Sequence, residues 1–476
     1  MKAPARRTKI VCTIGPASQD PRVMGRLLEA GMDIARINLS HGDFPGHAKT
    51  IAALRSAEKA AGKRITIMAD LPGPKIRIGT IAQEPVDLKP GSLFVLTTRD
   101  IEGGAAGVSV TFDRLPGVVK AGDTIFLNDG LIQLQVESTE GRDVLCRVVA
   151  GGELRSRKGL NLPGMDIGVD AFTAHDRTCL EFCFRHGVDA VCQSFVGRPG
   201  DVDAARSAAG RMGYRPFLIA KIERSEALDN LEGIIDASDG IMVARGDLGV
   251  EIPIESIALV QKRVIQSSLV RGRPVITATQ MLESMTASPR PTRAEATDVA
   301  NAVLDGTDCV MLSAESASGR YPVEATAMLA RILEATEPYG PGYRLRERLR
   351  EVLDGTARDM SDLVVFSIEA ALRYTRPAAV IVPTMSGATA RSIARFRPPV
   401  WILAVCGDEK VFRSLAFTSC VLAVHEPSYP ADWRLYAKAL VETLGLEGDT
   451  VILAGGPSPA NPHSSHRMEI IDLAGR

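Results

Sequence analysis

Short apolar runs recur along this chain, and most stop at a polar or glycine-rich junction. TKIVCTIGPAS (8–18), DIARINLSHG (33–42) and ITIMAD (65–70) are β-rich, of strand length and bounded by turn residues, so they read as strands. The stretches from Asp20 or Pro21 to about Ala30, and from about Pro45 to Ala61, read as helices that stop at Gly31 and Gly62. Strand, helix, strand with short connections predicts a parallel sheet covered by helices. At Leu71 the rhythm breaks. LPGPKIRIG is punctuated by Pro and Gly, and from there to about Gly164 short β-runs (SLFVLTT, GVSVTF, DTIFLNDG, LIQLQVES, DVLCRVV) alternate with Gly and Asp turns. Residues 71–164 therefore read as a small all-β domain inserted after the third strand.

The alternation then resumes. Helix 173–187, strand 189–196, helix 199–212, strand 217–222, a helical segment Ser225 to Ala237 and strand 240–245 follow in order. Helix 255–271, strand 274–280, helix 294–305 and strand 308–316 complete the series. The strands outside the insertion number eight, spread over residues 1–70 and 165–340, which predicts a (β/α)₈ barrel. Polar residues fall repeatedly at strand C-terminal ends: Arg36, Asn38, Asp70, Ser194, Lys221, Glu223, Asp247, Thr279, Gln280 and Glu315. Barrel active sites are built on that rim. Residues 354–476 read as a further open α/β domain, with helix 358–375, a strand ending at Thr384, and the runs VWILAV, CVLAV and TVILAGG.

The stretch Pro216–Pro253 concentrates the chemistry. Its two strand-like runs, FLIAKI and GIMVA, end at Lys221-Ile222-Glu223 and Arg245-Gly246-Asp247. Parallel neighbours put both ends on one rim, and the strand period of two puts Lys221 beside Glu223. Two carboxylates there suit Mg²⁺, with waters and substrate phosphates completing the shell. A lysine beside them suits charge building on a transferring phosphoryl group. The plain alternative is a surface salt bridge at strand ends.

Charge changes the picture by exclusion. Lys+Arg total 56 and Asp+Glu 57, a net charge of −1, which leaves no electrostatic footprint for nucleic acid or an anionic membrane. No apolar run behind MKAPARRTK has the length of a membrane span or the form of a signal peptide. The eight cysteines are scattered without a CxxC, so a reducing cytoplasm is expected.

TKIVCTIGPAS, ARINLSHG, DLPGPKIR, NDGLI, KGLNLPG, AKIE, SDGIMVARGDLGVEIP, ATQMLESM and PTRAEATDVANAVLDGTDCVMLSAES, in this order, resemble the pyruvate kinase family. The match is dense from about 8 to 325 and looser beyond. The resemblance implies phosphoryl transfer from phosphoenolpyruvate to ADP, giving pyruvate and ATP in the last step of glycolysis, with Mg²⁺ or Mn²⁺. It implies that Glu223 and Asp247 hold the metal and that Lys221 stabilises the transferring phosphoryl group. Arg36, Gly246, Asp247 and Thr279 fall where the family contacts substrate, and Arg77 and Lys158 where it contacts nucleotide phosphates. It further implies that the inserted β-domain closes over the site, and that the chain forms a homotetramer. Thr279 is a candidate for ordering the water that protonates the enolate.

One departure bears on cofactors. Many members bind K⁺ through an Asn, a Ser, an Asp and a Thr, in a motif reading DTKGPEIR. Asn38, Ser40 and Asp70 stand here, but Leu71 takes the Thr position and Lys75 the Glu position. Leucine offers no side-chain oxygen, so the expectation is that the Lys75 ammonium replaces the ion and K⁺ is not required. The family's effector loop corresponds to Thr384, Ser386, Gly387 and Thr389, which suits a phosphorylated effector. An N-cap with a tight turn is the plain reading of the same residues. The stretch GGPSPANPHSSHR departs from the form associated with fructose 1,6-bisphosphate. Two rival readings are a Mg²⁺-dependent decarboxylase or aldol-type lyase on the same barrel, and a non-catalytic metabolite sensor.

Overall fold

The computed structural model describes residues 2–165, 168–340, 347, 360–457 and 465–474. Eight parallel strands close into a barrel: Lys9–Thr13, Ile34–Asn38, Thr66–Asp70, Ala190–Gln193, Phe217–Ile222, Gly240–Ala244, Val275–Ala278 and Cys309–Leu312. The first strand pairs with the last, Lys9 opposite Cys309. The third pairs directly with the fourth, Met68 opposite Ala190, across everything inserted between them.

Strand period explains both the core and the site. Val11, Ile34, Met68, Cys192, Ile219, Met242, Ile276 and Met311 point into the barrel and fill it. Their neighbours, such as Ile10, Cys12 and Ala69, pack outward against the helices. Both faces are buried, so these strands are apolar without alternation. Two residues beyond the inner layer, the same inward direction places Thr13, Arg36, Asp70, Ser194 and Lys221 at the barrel's C-terminal mouth.

Between the third strand and the helix Ala174–Arg185 lie a six-stranded sheet and a two-stranded sheet, with one four-residue helix, Leu115–Val118. They enclose their own core, including Phe94, Leu96, Leu134 and Val148. The C-terminal sheet has five strands in the order Val421–His425, Trp401–Cys406, Ala379–Pro383, Thr450–Gly455, Arg467–Asp472, with the last antiparallel. Its first helix is described from Met360. The expected start at 358, the boundary at 354 and most of GGPSPANPHSSHR lie outside the described residues.

Several expected elements differ. The segment Ser225–Ala237 is two helices, Ser225–Asp229 and Leu231–Ala237. Asn230 makes the break, its side-chain amide donating to the carbonyls of Gly197 and Glu226. The sixth strand stops at Ala244, and Arg245–Glu251 is a short helix with Asp247 in its first turn, not a strand end. The seventh stops at Ala278 because Thr279 and Gln280 take φ of 71° and 54°, which no strand tolerates. All eight cysteines are buried and free. Among the described residues, no helix is long and apolar enough to cross a membrane.

Candidate active site

Asp70 anchors the barrel mouth. Its carboxylate is 1% exposed. Its Oδ2 accepts from Arg36 Nη2 at 2.6 Å and Nε at 3.0 Å, and stands 3.5 Å from Lys221 Nζ. Lys221 Nζ also lies 2.5 Å from Glu223 Oε1 and donates to Ser194 Oγ at 3.0 Å. Ser194 donates its own O–H to the Leu71 carbonyl at 2.7 Å, so its oxygen lone pair faces the ammonium. Arg36 Nη1 donates to Thr13 Oγ1 at 2.9 Å, and Thr13 donates to the Leu312 carbonyl. Two cations are thus held at fixed positions by side chains on the first four strands and on the fifth.

The electrostatics follow from burial and neighbours. Burial pulls the Lys221 ammonium down, but Glu223, then Asp70 and Asp247, carry it above its ordinary value. Burial raises the Glu223 carboxyl and Asp247 adds to the rise, against the pull of Lys221. Burial alone would raise Asp70; Arg36 and Lys221 hold it below the usual carboxylate range. Lys221 therefore stays charged.

Glu223 and Asp247 are near enough to repel each other electrostatically. Glu223 Oε2 accepts the Phe195 N–H at 2.8 Å. Among the described residues no cluster of three or more His, Cys, Asp or Glu could hold a metal. A pair of hard oxygens that repel each other suits Mg²⁺ that keeps several waters, and does not suit a protein-enclosed ion.

Thr279 serves the backbone. Its Oγ1 accepts the Gly246 N–H at 2.7 Å and donates to the Ala278 carbonyl at 2.6 Å. The strained Thr279 is braced by Arg245, whose Nη2 donates to the Thr279 carbonyl at 2.8 Å while Nη1 reaches Asp298 at 2.7 Å. Arg245 was legible only as a charge at a strand end, and its bracing role was missed. Glu315 is a brace too. It is fully buried and accepts the N–H groups of Leu282 and Ser313.

Arg77 and Lys158 lie side by side where the inserted segment leaves and returns. Arg77 pairs with Gly159, and the Ile78 N–H donates to the Lys158 carbonyl at 3.0 Å. Arg77 Nη1 is engaged by the Arg157 carbonyl. Lys75 is exposed and makes no ion pair among the described residues. Its Cε faces Gly159, on the side of Asp129, so the structure does not bring it onto Asn38, Ser40 and Asp70. Asn38 Oδ1 accepts the Ser40 N–H, and Asp70 Oδ1 is buried without an N–H or O–H donor. The weak Cys192 thiol is the polar group beside that carboxylate. Leu71 is fully buried in the core.

In the C-terminal turn, Thr384 Oγ1 accepts the Gly387 N–H and Ser386 Oγ the Ala388 N–H. Gly387 has φ 77°. Arg391 donates from Nη2 to the Ser386 carbonyl at 2.6 Å, while its Nη1 is buried without a partner.

With this geometry in place, the comparisons with known proteins are consistent at every level. The family model described as pyruvate kinase, barrel domain, matches residues 5–326, and that described as pyruvate kinase, alpha/beta domain, matches 363–471. The pyruvate kinase of Thermococcus litoralis is 44% identical over 99% of this chain and 100% of its own length. That of Mycobacterium tuberculosis strain H37Rv is 40% identical over 98% of each chain. A crystal structure of a pyruvate kinase from Cryptosporidium parvum superposes with a TM-score of 0.90 at 35% identity, covering 98% of this chain and 96% of that one. A buried lysine and a carboxylate pair at the mouth of a barrel that carries an inserted β domain agree with matches that span the chain end to end: it belongs to the pyruvate kinase family, enzymes that transfer a phosphoryl group.

Proposed function

We propose that the chain carries out Mg²⁺-dependent phosphoryl transfer from phosphoenolpyruvate to ADP through the residues at the barrel mouth. The observation that carries these roles is Lys221, fully charged and fixed between Asp70, Glu223 and Ser194, beside the Glu223–Asp247 pair. Glu223 and Asp247 would hold Mg²⁺, or Mn²⁺, which when bound neutralises charge on the transferring group. Lys221 and Arg36 stabilise the phosphoryl oxygens as the bond between phosphorus and the enol oxygen breaks. The new bond forms to a β-phosphate oxygen of ADP, in line with the departing enolate. Arg77 and Lys158 meet the nucleotide phosphates as the β lid closes and sheds water. The enolate then takes a proton at its terminal carbon and leaves as pyruvate. Thr279 orders the water that delivers it only after its hydroxyl turns from the Ala278 carbonyl; its standing role is to hold Gly246.

Full-length homology to pyruvate kinases leaves neither the decarboxylase nor the sensor reading favoured. Family membership supports a homotetramer, testable by sedimentation, and a cytoplasmic site of action. K⁺ independence rests on Leu71, whose buried side chain offers no oxygen, and on Lys75, a fixed cation in the motif position where many members carry Glu. The unpartnered Arg391 Nη1 beside Thr384–Thr389 supports a phosphorylated effector there. Titration calorimetry with sugar monophosphates and AMP tests it, and absence of heat with any of them removes it.

The deciding assay is pyruvate formation from phosphoenolpyruvate and ADP with Mg²⁺, in K⁺-free buffer and then with K⁺. Turnover in both supports the roles and K⁺ independence. Turnover only with K⁺ keeps the reaction and discards K⁺ independence. No turnover in either, with or without effector, overturns the proposal.

A further inference from the structure

The helix Arg245–Glu251 carries Gly246 and Asp247, assigned above to substrate and metal, in its first turn, and its far end meets the inserted β segment. The turn Asn128–Gly130 comes down on it. A Cβ on Gly130 would stand 3.1 Å from Val250 Cγ2, and Gly130 has φ 88°. The neighbouring Glu251 carboxylate lies close to the Gly164 backbone, on the strand-to-barrel return of the insertion. Its Oε2 also accepts the Ser225 N–H at 3.5 Å. Arg224 makes a second tie to the same return, Nη2 donating to the Met165 carbonyl at 3.2 Å. Its Nη1 pairs with Glu226 at 3.2 Å, which fixes the guanidinium in that direction.

Consecutive residues of the return segment therefore meet a carboxylate and a guanidinium, and the Arg224 bond to Met165 is charge-assisted. The two side chains are not placed at random. Arg224 follows Glu223 directly, and Glu251 ends the helix whose first turn carries Asp247. Lys158 lies on the same return stem as Gly164.

We infer that Glu251 and Arg224 are positioning residues that tie the lid's return hinge, Gly164–Met165, to the elements bearing Asp247 and Glu223, so that lid position and metal-site geometry are set together. This rests on the lid reading above. Cutting the tie lets the return stem swing and displaces Lys158, while Lys221 and Arg36 keep their own partners. The effect falls on nucleotide binding and spares phosphoenolpyruvate.

The test compares the full-length chain with Glu251→Ala, which removes the acceptor, and Glu251→Gln, which keeps an amide oxygen. KM for ADP, KM for phosphoenolpyruvate and kcat are measured, with amide hydrogen exchange across 71–164 with and without Mg²⁺ and ADP. Glu251→Ala is expected to raise KM for ADP about tenfold, the loss of charge-assisted hydrogen bonds, with KM for phosphoenolpyruvate within about twofold. It also loses the ADP-dependent slowing of exchange in the lid, and Glu251→Gln restores most of both. Arg224→Met, which removes the donor to Met165, gives the same split, and this variant decides the matter if Glu251→Ala does not fold. Wild-type KM for ADP in Glu251→Ala, or an equal shift of both KM values in every variant, overturns the inference. Absence of ADP-dependent slowing in the wild-type lid overturns the lid reading and this inference with it.

Discussion

Asp70→Asn removes one negative charge from between two buried cations and changes almost no volume. In the native chain Asp70 is 1% exposed and Arg36 9%, so water cannot replace what is lost. At an effective dielectric near 20, a unit charge pair at the 3.5 Å separating Lys221 Nζ from Asp70 Oδ2 interacts by about 5 kcal/mol. Desolvation offsets much of that in the intact network, but deleting one partner of a buried pair still costs about 3–5 kcal/mol. Arg36 bonds to Asp70 through two nitrogens and loses its charged partner, and Lys221 keeps Glu223 as its ion-pair partner with Ser194 beside it. Two outcomes follow. Urea unfolding of Asp70→Asn gives a stability loss of about 3–5 kcal/mol, roughly 3–5 °C in melting temperature for a chain of this length. Steady-state kinetics give a kcat lowered by about 10²-fold as the two cations lose their fixed positions, near the cost of one preorganised electrostatic contact. KM for phosphoenolpyruvate changes far less, since removing an anion leaves the mouth more attractive to an anionic substrate. A variant with wild-type melting temperature and wild-type kcat refutes the reasoning, because it shows Arg36 and Lys221 held by something other than Asp70.

Three further perturbations read other contacts. Thr279→Val leaves the Gly246 N–H without its acceptor and should lower kcat by about 5- to 100-fold, the range for an orphaned buried donor; Thr279→Ser keeps the hydroxyl and should stay within about threefold, and equal losses in the two count against the contact. Burial pushes the Asp33 carboxyl up, but Arg6, then Lys63 and Lys9, pull it down further, so its folded value lies below its unfolded one. Its stabilisation is therefore present above about pH 4 and lost as pH falls through the folded value. Asp33→Asn should cost roughly 1–3 kcal/mol at pH 7 and converge with wild type in acid unfolding; a gap independent of pH refutes this. Leu71→Thr with Lys75→Glu restores the side-chain oxygen and the anion of the K⁺-binding motif, and should make turnover rise with added K⁺; indifference to K⁺ discards the Lys75 argument.

The barrel was legible because its strands are buried on both faces, so each appears as an unbroken apolar run closed by a turn residue. Arg36, Asp70 and Lys221 were legible for a related reason: each sits two residues past an inward-pointing core residue, and the period of two carries it into the mouth. What failed to show were changes of element without a change of composition. RGDLGVE has two glycines and no helical stripe, yet it forms a helix because Ala244 ends the strand where the barrel ends. Asn230 broke a helix through contacts to Gly197 and Glu226, of which Gly197 lies on a different loop. The direction of the Thr279 hydroxyl depends on a positive φ that Arg245 braces through a carbonyl, a contact invisible to spacing. Lys75 faces the lid stem because the backbone turns at Gly73, φ 65°, before reaching it.

The third and fourth barrel strands pair edge to edge, Met68 with Ala190 and Asp70 with Cys192, with the whole β insertion spliced between Asp70 and the helix that precedes the fourth strand. To the barrel, that insertion is a long loop, and the entropic cost of closing a loop climbs only logarithmically with its length. The barrel and the insertion are therefore free to diverge at separate rates. Lineages can lengthen, trim or exchange the insertion without renegotiating the barrel's register, as long as its two stems stay clasped.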